Sequence, residues 1–489
     1  VEDDKLTIKR TISLMLAALT FIAMLVSCKG GEETAVVTTA ADTTSAIEVE
    51  TELQPYVDKI DYNGASFFIQ AAFSQTYNKL MFADEETGDV FYDELYSRTL
   101  MTEEYFNIDM GYNCELQEVE LIPAVNASIM AGDNKYQLVL SNNMRGNTAL
   151  VTQHMILDWN TISTVDFSHV YWNSSVTENL TVSGKNFFAK SSYALPTYSL
   201  VAFNKGMAEE YNFGNLYDLV REGGWTLDSM TDMSKVITRD IDGDGDFDIN
   251  DAYGICIMAD HPVNSFRAGC EIPLTKVNDE GMLMPAVNNE RMITMLEKIY
   301  DIIVTRKLAW TYPWKAVLTE DMYIPMDSGR VLFFFQQLTW MTNLRECETD
   351  YGLIPYPKFD EAQETYHIDD YGKLLTVPVT VPDPNMVGNV CEMLGYFSYI
   401  NVAPAYYESL FNQKVCRDEE SIEMLQLCAD GLLYDPGMTF FGLDGALQAF
   451  MYFPCNMVNQ KNNNFSSFYA SKEEQAIKQI QDFYIAIEG

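Results

Sequence analysis

Histidine is scarce in this chain and bases are far outnumbered by acids, and the two shortages together exclude whole classes of chemistry. Only His154, His169, His261 and His367 occur, no two at metal-ligand spacing, so a catalytic zinc site is not expected. Lysine and arginine number 31 against 71 aspartates and glutamates, a formal net charge of −40. Such a surface repels nucleic acid, anionic lipid and polyanionic substrates, which leaves a neutral or cationic ligand. No C-x-x-C pair is present. Cys28 aside, Cys114, Cys256, Cys270, Cys347, Cys391, Cys416, Cys428 and Cys455 are scattered in mostly apolar context, which reads as buried free thiols rather than a disulfide framework. There is no G-x-S-x-G, H-E-x-x-H or P-loop, no internal repeat, and only one long apolar run.

That run extends from Thr11 to Val26, behind Lys5, Lys9 and Arg10, and ends in Leu25-Val26-Ser27-Cys28. Basic start, apolar middle and small-residue end are the order of a secretory signal, and the run is short of the roughly 18 apolar residues that span a bilayer. Leu-Val-Ser-Cys resembles the bacterial lipobox. The resemblance implies that 1–27 is a leader and that Cys28 is acylated, anchoring the mature chain on the extracellular face of the membrane. Residues 28–54 are Gly, Thr, Ala, Ser and Glu with almost no large apolar side chain. They read as a flexible tether with a reach on the order of 30 Å.

The remainder is too long for one core of usual size and suits two lobes. Ala65–Ala71 reads as a strand, followed by a helical stripe through Phe91, Leu95, Leu100 and Phe106, a strand near Tyr112 to Leu116, a helix near Ile122 to Met130 and a strand at Tyr136 to Ser141. Strands alternating with helices predict parallel β-α-β units in a doubly wound α/β sheet, whose ligands bind beyond the carboxyl ends of the strands. That points to Phe73, Ser74 and Gln75, and to Asn142, Asn143 and Arg145. A second run of this kind starts at Leu200–Asn204, with Thr226 as a helix N-cap; it includes an apolar helical stripe between Asn288 and Lys307 and a strand at Val331–Phe335 followed by Trp340. Asp383-Pro384 reads as N-cap and first turn of a later helix, and Ser471-Lys472-Glu473-Glu474 as the capping box that opens the last one.

The sharpest motif inside the body runs from Asp240 to Asp251. Asp240, Asp242, Asp244, Asp246, Asp248 and Asp251 fall at calcium-loop positions 1, 3, 5, 7, 9 and 12, with Gly245 at position 6, so the pattern is that of an EF-hand with Asp in place of Glu at 12. Carboxylates so crowded repel one another unless a hard cation sits among them, so bound calcium is expected. The strand-like Ala252–Met258 replaces the second helix of a switching EF-hand, which makes the expected role structural.

Laid out in this order, the chain resembles the extracellular solute-binding lipoproteins of family 1, the sugar receptors of bacterial ATP-driven importers. Leu200–Tyr211, Leu216–Met230, the acidic loop, Met326–Val331 and Tyr351–Glu364 are the stretches that carry the resemblance. It implies a two-lobed, periplasmic-binding-protein-like type II fold with a central ligand cleft, a non-enzymatic function, an ABC permease as partner and a monomer. It also implies a first lobe of 60–197 plus 325–355 and a second of 198–324 plus 380–489, with crossings near Thr197–Val201, near Tyr323–Asp327 and within 356–379. By the same resemblance Asn143, Arg145 and Trp340 are cleft residues and Tyr198 lies at a crossing; Trp159, Trp172, Trp310 and Trp314 are further aromatic candidates. Two rivals stay open on the sequence alone: an exported two-carboxylate glycosidase, which has no short signature, and a surface glycan-binding adhesin.

Overall fold

Two β-sheets organise the chain, and the order of their strands follows from which segments are buried on both faces. The computed structural model describes residues 54–73, 78–313, 320–443, 445 and 447–488. Residues 57–489 cluster as one unit. The leader, Cys28, the tether up to residue 53, Ser74, Gln75 and Trp314 lie outside the described residues. Among the described residues no helix is long and apolar enough to cross a membrane.

The first sheet contains β1 (Ala65–Ala71), β2 (Ile108–Asn113) and β3 (Leu138–Asn142), with β1 parallel to both of the others. Helix α1 (Val90–Phe106) connects β1 to β2. Asp89 caps its start by accepting from the Phe91 amide, and Asn107 ends it in the left-handed region at φ 48. Its inner face buries Phe91, Leu95, Thr102 and Phe106, each large apolar side chain contributing about 1.5–3 kcal/mol. Arg98 is buried on the same face. Its guanidinium sits 4.5 Å from the Tyr193 ring centroid, and burial holds its pKa down to about 10. Leu100, expected in the stripe, points outward. Helix α2 (Glu118–Ala131) connects β2 to β3 and stops at Gly132, φ 62.

The second sheet begins with β4 (Ser199–Asn204) and β5 (Tyr253–Met258) and is completed by β6 (Ala309–Tyr312), β7 (Val331–Gln337) and β8 (Tyr351–Ile354), in the order β8-β4-β7-β5-β6. β7 lies between β4 and β5, antiparallel to the first and parallel to the second. This corrects the expectation that 325–355 belongs to the first lobe: Val331–Phe335 has no exposed surface, as a strand covered on both faces and paired at both edges must. It also removes the crossing expected near Tyr323–Asp327, because β6, the helix Ile324–Asp327 and β7 stay with the same sheet. The chain crosses at Thr197–Tyr198 and again between β8 and β9 (Lys373–Thr376), which pairs antiparallel with β3 and closes the first sheet as β9-β3-β1-β2.

The C-terminal part divides its contacts, where it was expected to belong to the second lobe. A helix at Pro384–Phe397, capped by Asp383 as read from the sequence, packs on α1, as does Ala403–Asn412, whose Tyr406 ring is 5.2 Å from Phe91. Glu419–Asp430 packs on β8, with Ser421 Oγ accepting from the Leu353 amide at 3.1 Å. Helical periodicity defines a buried face but not which sheet covers it. The last helix starts at Phe465 rather than at Ser471, because Phe465, Phe468 and Tyr469 pack on Phe450 and Phe453 and extend it past the expected cap. Helix α3 (Leu227–Ile237), capped by Thr226, leads through the acidic loop into β5. Helix α4 (Glu290–Tyr300) carries Met292, Met295, Leu296 and Ile299 on its buried face.

Candidate functional site

On the first-lobe side, β3 ends at Asn142, whose side-chain amide donates to Glu118 Oε1 at 2.7 Å. Glu118 opens α2, where a carboxylate faces the positive end of the helix dipole. Arg145 Nε lies 3.5 Å from Glu118 Oε2 and Lys373 Nζ lies 3.7 Å from Oε1. Desolvation lowers the Lys373 ammonium pKa, with Glu118 acting in the opposite direction. Two cations and one carboxylate thus meet beyond the carboxyl end of β3. Phe73, beyond β1, is 46% exposed, an uncovered apolar ring at the same end of the sheet.

On the second-lobe side, β5 runs into Asp260 and the short helix His261–Asn264. The His261 ring stands edge-on to Tyr371 and Tyr452, and its Nε2 is 3.1 Å from Tyr452 Oη. Burial depresses the His261 pKa, while the carboxylates of Asp260 and Glu118 raise it. Burial raises the Tyr452 phenol pKa, and Asp260, Arg145 and Glu118 all act on it. Glu118 and Arg145 of the first lobe therefore share one electrostatic environment with His261 and Tyr452. Beyond β7, Trp340 is half-buried, and its carbonyl accepts from Tyr323 Oη at 3.1 Å.

Of the residues expected from sequence, Arg145, Phe73 and Trp340 stand at strand ends. Asn143 and Tyr198 do not reach an open surface: Asn143 is 1% exposed, donating to the Asp370 carbonyl and accepting from Thr439 Oγ1, and Tyr198 is buried with its hydroxyl on the Leu425 carbonyl. Trp159 and Trp172 are buried in an aromatic cluster with Phe167, and Trp310 is half-buried. Gln75 lies outside the described residues. Sequence reading missed Glu118, His261, Lys373 and Tyr452. The Asp260-His261 pair directly after a strand was the one available signal; Lys373 and Tyr452 come from distant segments that only the topology brings together.

The acidic loop folds back on itself between α3 and β5, closed by the Arg239–Ala252 bridge. Carboxylate oxygens of Asp240, Asp242 and Asp244 lie within 4.8 Å of one another. An amide hydrogen bond from Asp244 lowers the Asp242 pKa, but desolvation and the carboxylates of Asp244, Asp251 and Asp240 outweigh it and leave the net shift upward. Asp251, fully buried, is turned to the amides of Ile241 and Asp248, and Asp248 accepts from Asn250. The eight cysteines beyond Cys28 are free thiols, most of them buried.

Two sheets of these strand orders, joined at Thr197–Tyr198, between β8 and β9 and again between the helices Ala403–Asn412 and Glu419–Asp430, define a two-lobed α/β binding-protein fold of type II. Among solved structures the chain is similar to a cyclo/maltodextrin-binding protein complexed with maltotetraose, with TM-score 0.55 and 12% identity over 88% of this chain and 98% of that one. It is similar to the GacH receptor of Streptomyces glaucescens, solved unliganded and with acarbose, at TM-score 0.51 and 12% identity over 87% and 98%. A third likeness is to an ABC substrate-binding protein of Listeria monocytogenes in complex with cycloalternan, at TM-score 0.52 and 9% identity over 86% and 99%. No family model matches the chain, and no curated protein matches it in sequence.

Proposed function

We propose that this chain is an extracytoplasmic receptor, tethered through a lipid on Cys28, that captures a carbohydrate between its lobes and delivers it to the permease of an ATP-driven importer. The observation that carries the reading is that Asn143, in the loop that holds Arg145, donates to the Asp370 carbonyl at 2.8 Å while the ring of the adjoining Tyr371 stands 5.5 Å from that of His261, so groups from the strand ends of both sheets meet at one crossing. A ligand touching both sets is bound more tightly by the closed arrangement and shifts the population towards it. Arg145 and Glu118 suit sugar hydroxyls as donor and acceptor, while Phe73 and Trp340 supply apolar faces for the C–H side of a pyranose ring. The fold is shared with receptors seen with maltotetraose, acarbose and cycloalternan, which supports oligosaccharide as the ligand class.

In the same reading the Asp240–Asp251 loop holds a structural calcium ion. The donor set fits a hard cation, since Asp240, Asp242 and Asp244 offer oxygens to one point while Asp251 fastens the loop from within. Calcium would supply rigidity at the α3–β5 connection and no chemistry at the strand ends.

Thermal-shift titration with maltotetraose, cycloalternan and acarbose tests the receptor reading, with chromatography of the same mixtures after incubation. A rise in melting temperature with the oligosaccharide recovered intact is the expected result. Release of shorter sugars would assign the chain to the hydrolases instead, and no response to any oligosaccharide would end the sugar-receptor reading.

A further inference from the structure

At the second crossing, Asp370 is completely buried and fully engaged. Its Oδ1 accepts from the amides of Thr197 at 2.9 Å and Gly372 at 2.8 Å. Its Oδ2 accepts from Tyr434 Oη at 2.9 Å and pairs with Lys190 Nζ at 2.6 Å. Its backbone carbonyl accepts from Asn143 Nδ2 at 2.8 Å, and the Asn143 amide donates to the Gly372 carbonyl at 3.2 Å. The next residue continues the chain of contacts: the Tyr371 amide donates to the Thr197 carbonyl at 2.7 Å, and its hydroxyl is 2.7 Å from Ser265 Oγ, which donates to the His261 carbonyl at 3.1 Å. The packing admits no bulk here, because a Cβ on Gly372 would lie 2.9 Å from both Asp370 Oδ1 and Lys190 Nζ.

These contacts join three places. Asn143 belongs to the loop that carries Arg145, Thr197 is the first crossing, and Ser265 follows the helix that carries His261. A carboxylate that serves only to neutralise Lys190 would not need to bond both crossing segments, nor would its residue need to hold the ligand loop through its carbonyl. We propose that Asp370 is the positioning residue that couples the Asn142–Asn147 loop to the hinge, so that the arrangement of the two crossings and the placement of the loop change together. Displacement of either crossing breaks the Thr197 amide bond to Oδ1, and the Lys190 pair then loses the geometry that offsets its burial. The loop and the His261 helix are thereby held in register with hinge angle. The inference rests on the receptor reading for its consequence but not for its test.

Hydrogen exchange on the full chain without sugar reads the coupling directly. Asp370→Asn keeps an acceptor for the amides and removes the charge facing Lys190. Exchange is expected to speed up by at least about tenfold at Thr197, at Gly372 and across 143–147, with α4 unchanged. Tyr371→Phe, which deletes only the hydroxyl facing Ser265, is expected to loosen 261–265 and leave 143–147 alone. Should Asp370→Asn fail to fold, Asn143→Ser probes the junction from its other end and is expected to loosen Thr197. Acceleration confined to 370–372, or spread evenly over α4 and β5, would overturn the proposal by showing a local or a purely global role. Because no ligand is present, a sugar titration that fails leaves these outcomes readable.

Discussion

Trp172 Nε1 donates to Glu392 Oε1 at 3.0 Å, inside a cage of side chains that leaves Glu392 with no exposed surface. The same carboxylate accepts from the Asp166 amide at 2.8 Å and meets His169 Nδ1 at 2.8 Å and the Tyr171 hydroxyl. One carboxylate therefore fixes the 166–172 segment against the helix Pro384–Phe397. Glu392→Ala would strand these donors, at a cost of about 3–5 kcal/mol. Glu392→Gln keeps the volume but turns an N–H towards groups that already donate, so it should recover only part of the loss. Urea denaturation of both variants measures the difference.

A close approach of backbone to backbone sets the second expectation. At Gly254 in β5, an added Cβ would lie 2.2 Å from Ser234 Cβ and 2.3 Å from Ser234 Cα in α3. Neither atom is the end of a flexible side chain, so α3 would have to lift off the sheet. Gly254→Ala should cost about 3 kcal/mol, the upper part of the overpacking range. Gly281→Ala is the control: open space surrounds it and only its φ of +78 is unfavourable, which costs about 1 kcal/mol. Melting temperatures of the pair separate close packing from backbone strain.

At the strand ends, Arg145 is placed by Glu118 and shares the Tyr452 environment. Arg145→Ala should weaken oligosaccharide binding by about 1–3 kcal/mol, roughly 5- to 150-fold in Kd. Its melting temperature without sugar should barely move, since the pair is partly exposed and worth at most about 1 kcal/mol to stability. Isothermal titration with maltotetraose against both proteins is the measurement.

Much of this architecture was legible because it rests on local periodicity. β1, β3 and β5 are short apolar runs, α4 is a clean stripe, and the caps Thr226 and Asp383 behave as read. What failed was non-local. β7 reads as a buried strand from its own residues, but nothing in Val331–Phe335 says whether it is paired with β1 or with β4. Asn143 and Arg145 are two positions apart in one loop, and only packing against Asp370 turns the first inward. Lys373 and Tyr452 come to Glu118 and His261 from other segments, which no spacing rule connects.

His261 gives stability a pH dependence whose sign follows from burial. Desolvation holds its pKa below the ordinary 6.5, with Asp260 and Glu118 offsetting part of the shift. Between the folded and the unfolded pKa the unfolded chain binds more protons, so folding is favoured as pH rises. The contribution is fully present above pH 6.5 and is lost as pH falls through the depressed value, with a slope of at most about 1.4 kcal/mol per pH unit. His261→Gln should remove this part of the acid sensitivity. Chemical denaturation of both proteins between pH 7.5 and 5 tests it, and equal slopes would show that His261 does not contribute.

Calcium at the Asp240–Asp251 loop carries the last expectation. Without a cation, desolvation and then the carboxylates of Asp244, Asp251 and Asp240 outweigh the amide hydrogen bond and leave the Asp242 pKa raised, and bound calcium would reverse the sign of that local field. An ion that binds only the folded chain stabilises it by mass action, about 2.7 kcal/mol at one hundred times its Kd. Adding calcium after chelation should therefore raise the melting temperature, and magnesium should do so less, because it dehydrates reluctantly and demands a tighter octahedron. Asp240→Asn with Asp244→Asn takes charge from two members of the closest group and should abolish the response while leaving the calcium-free melting temperature unchanged or slightly raised. Oligosaccharide affinity should change little in that variant, because the loop joins α3 to β5 while Asp260 and His261 stand beyond the opposite end of that strand.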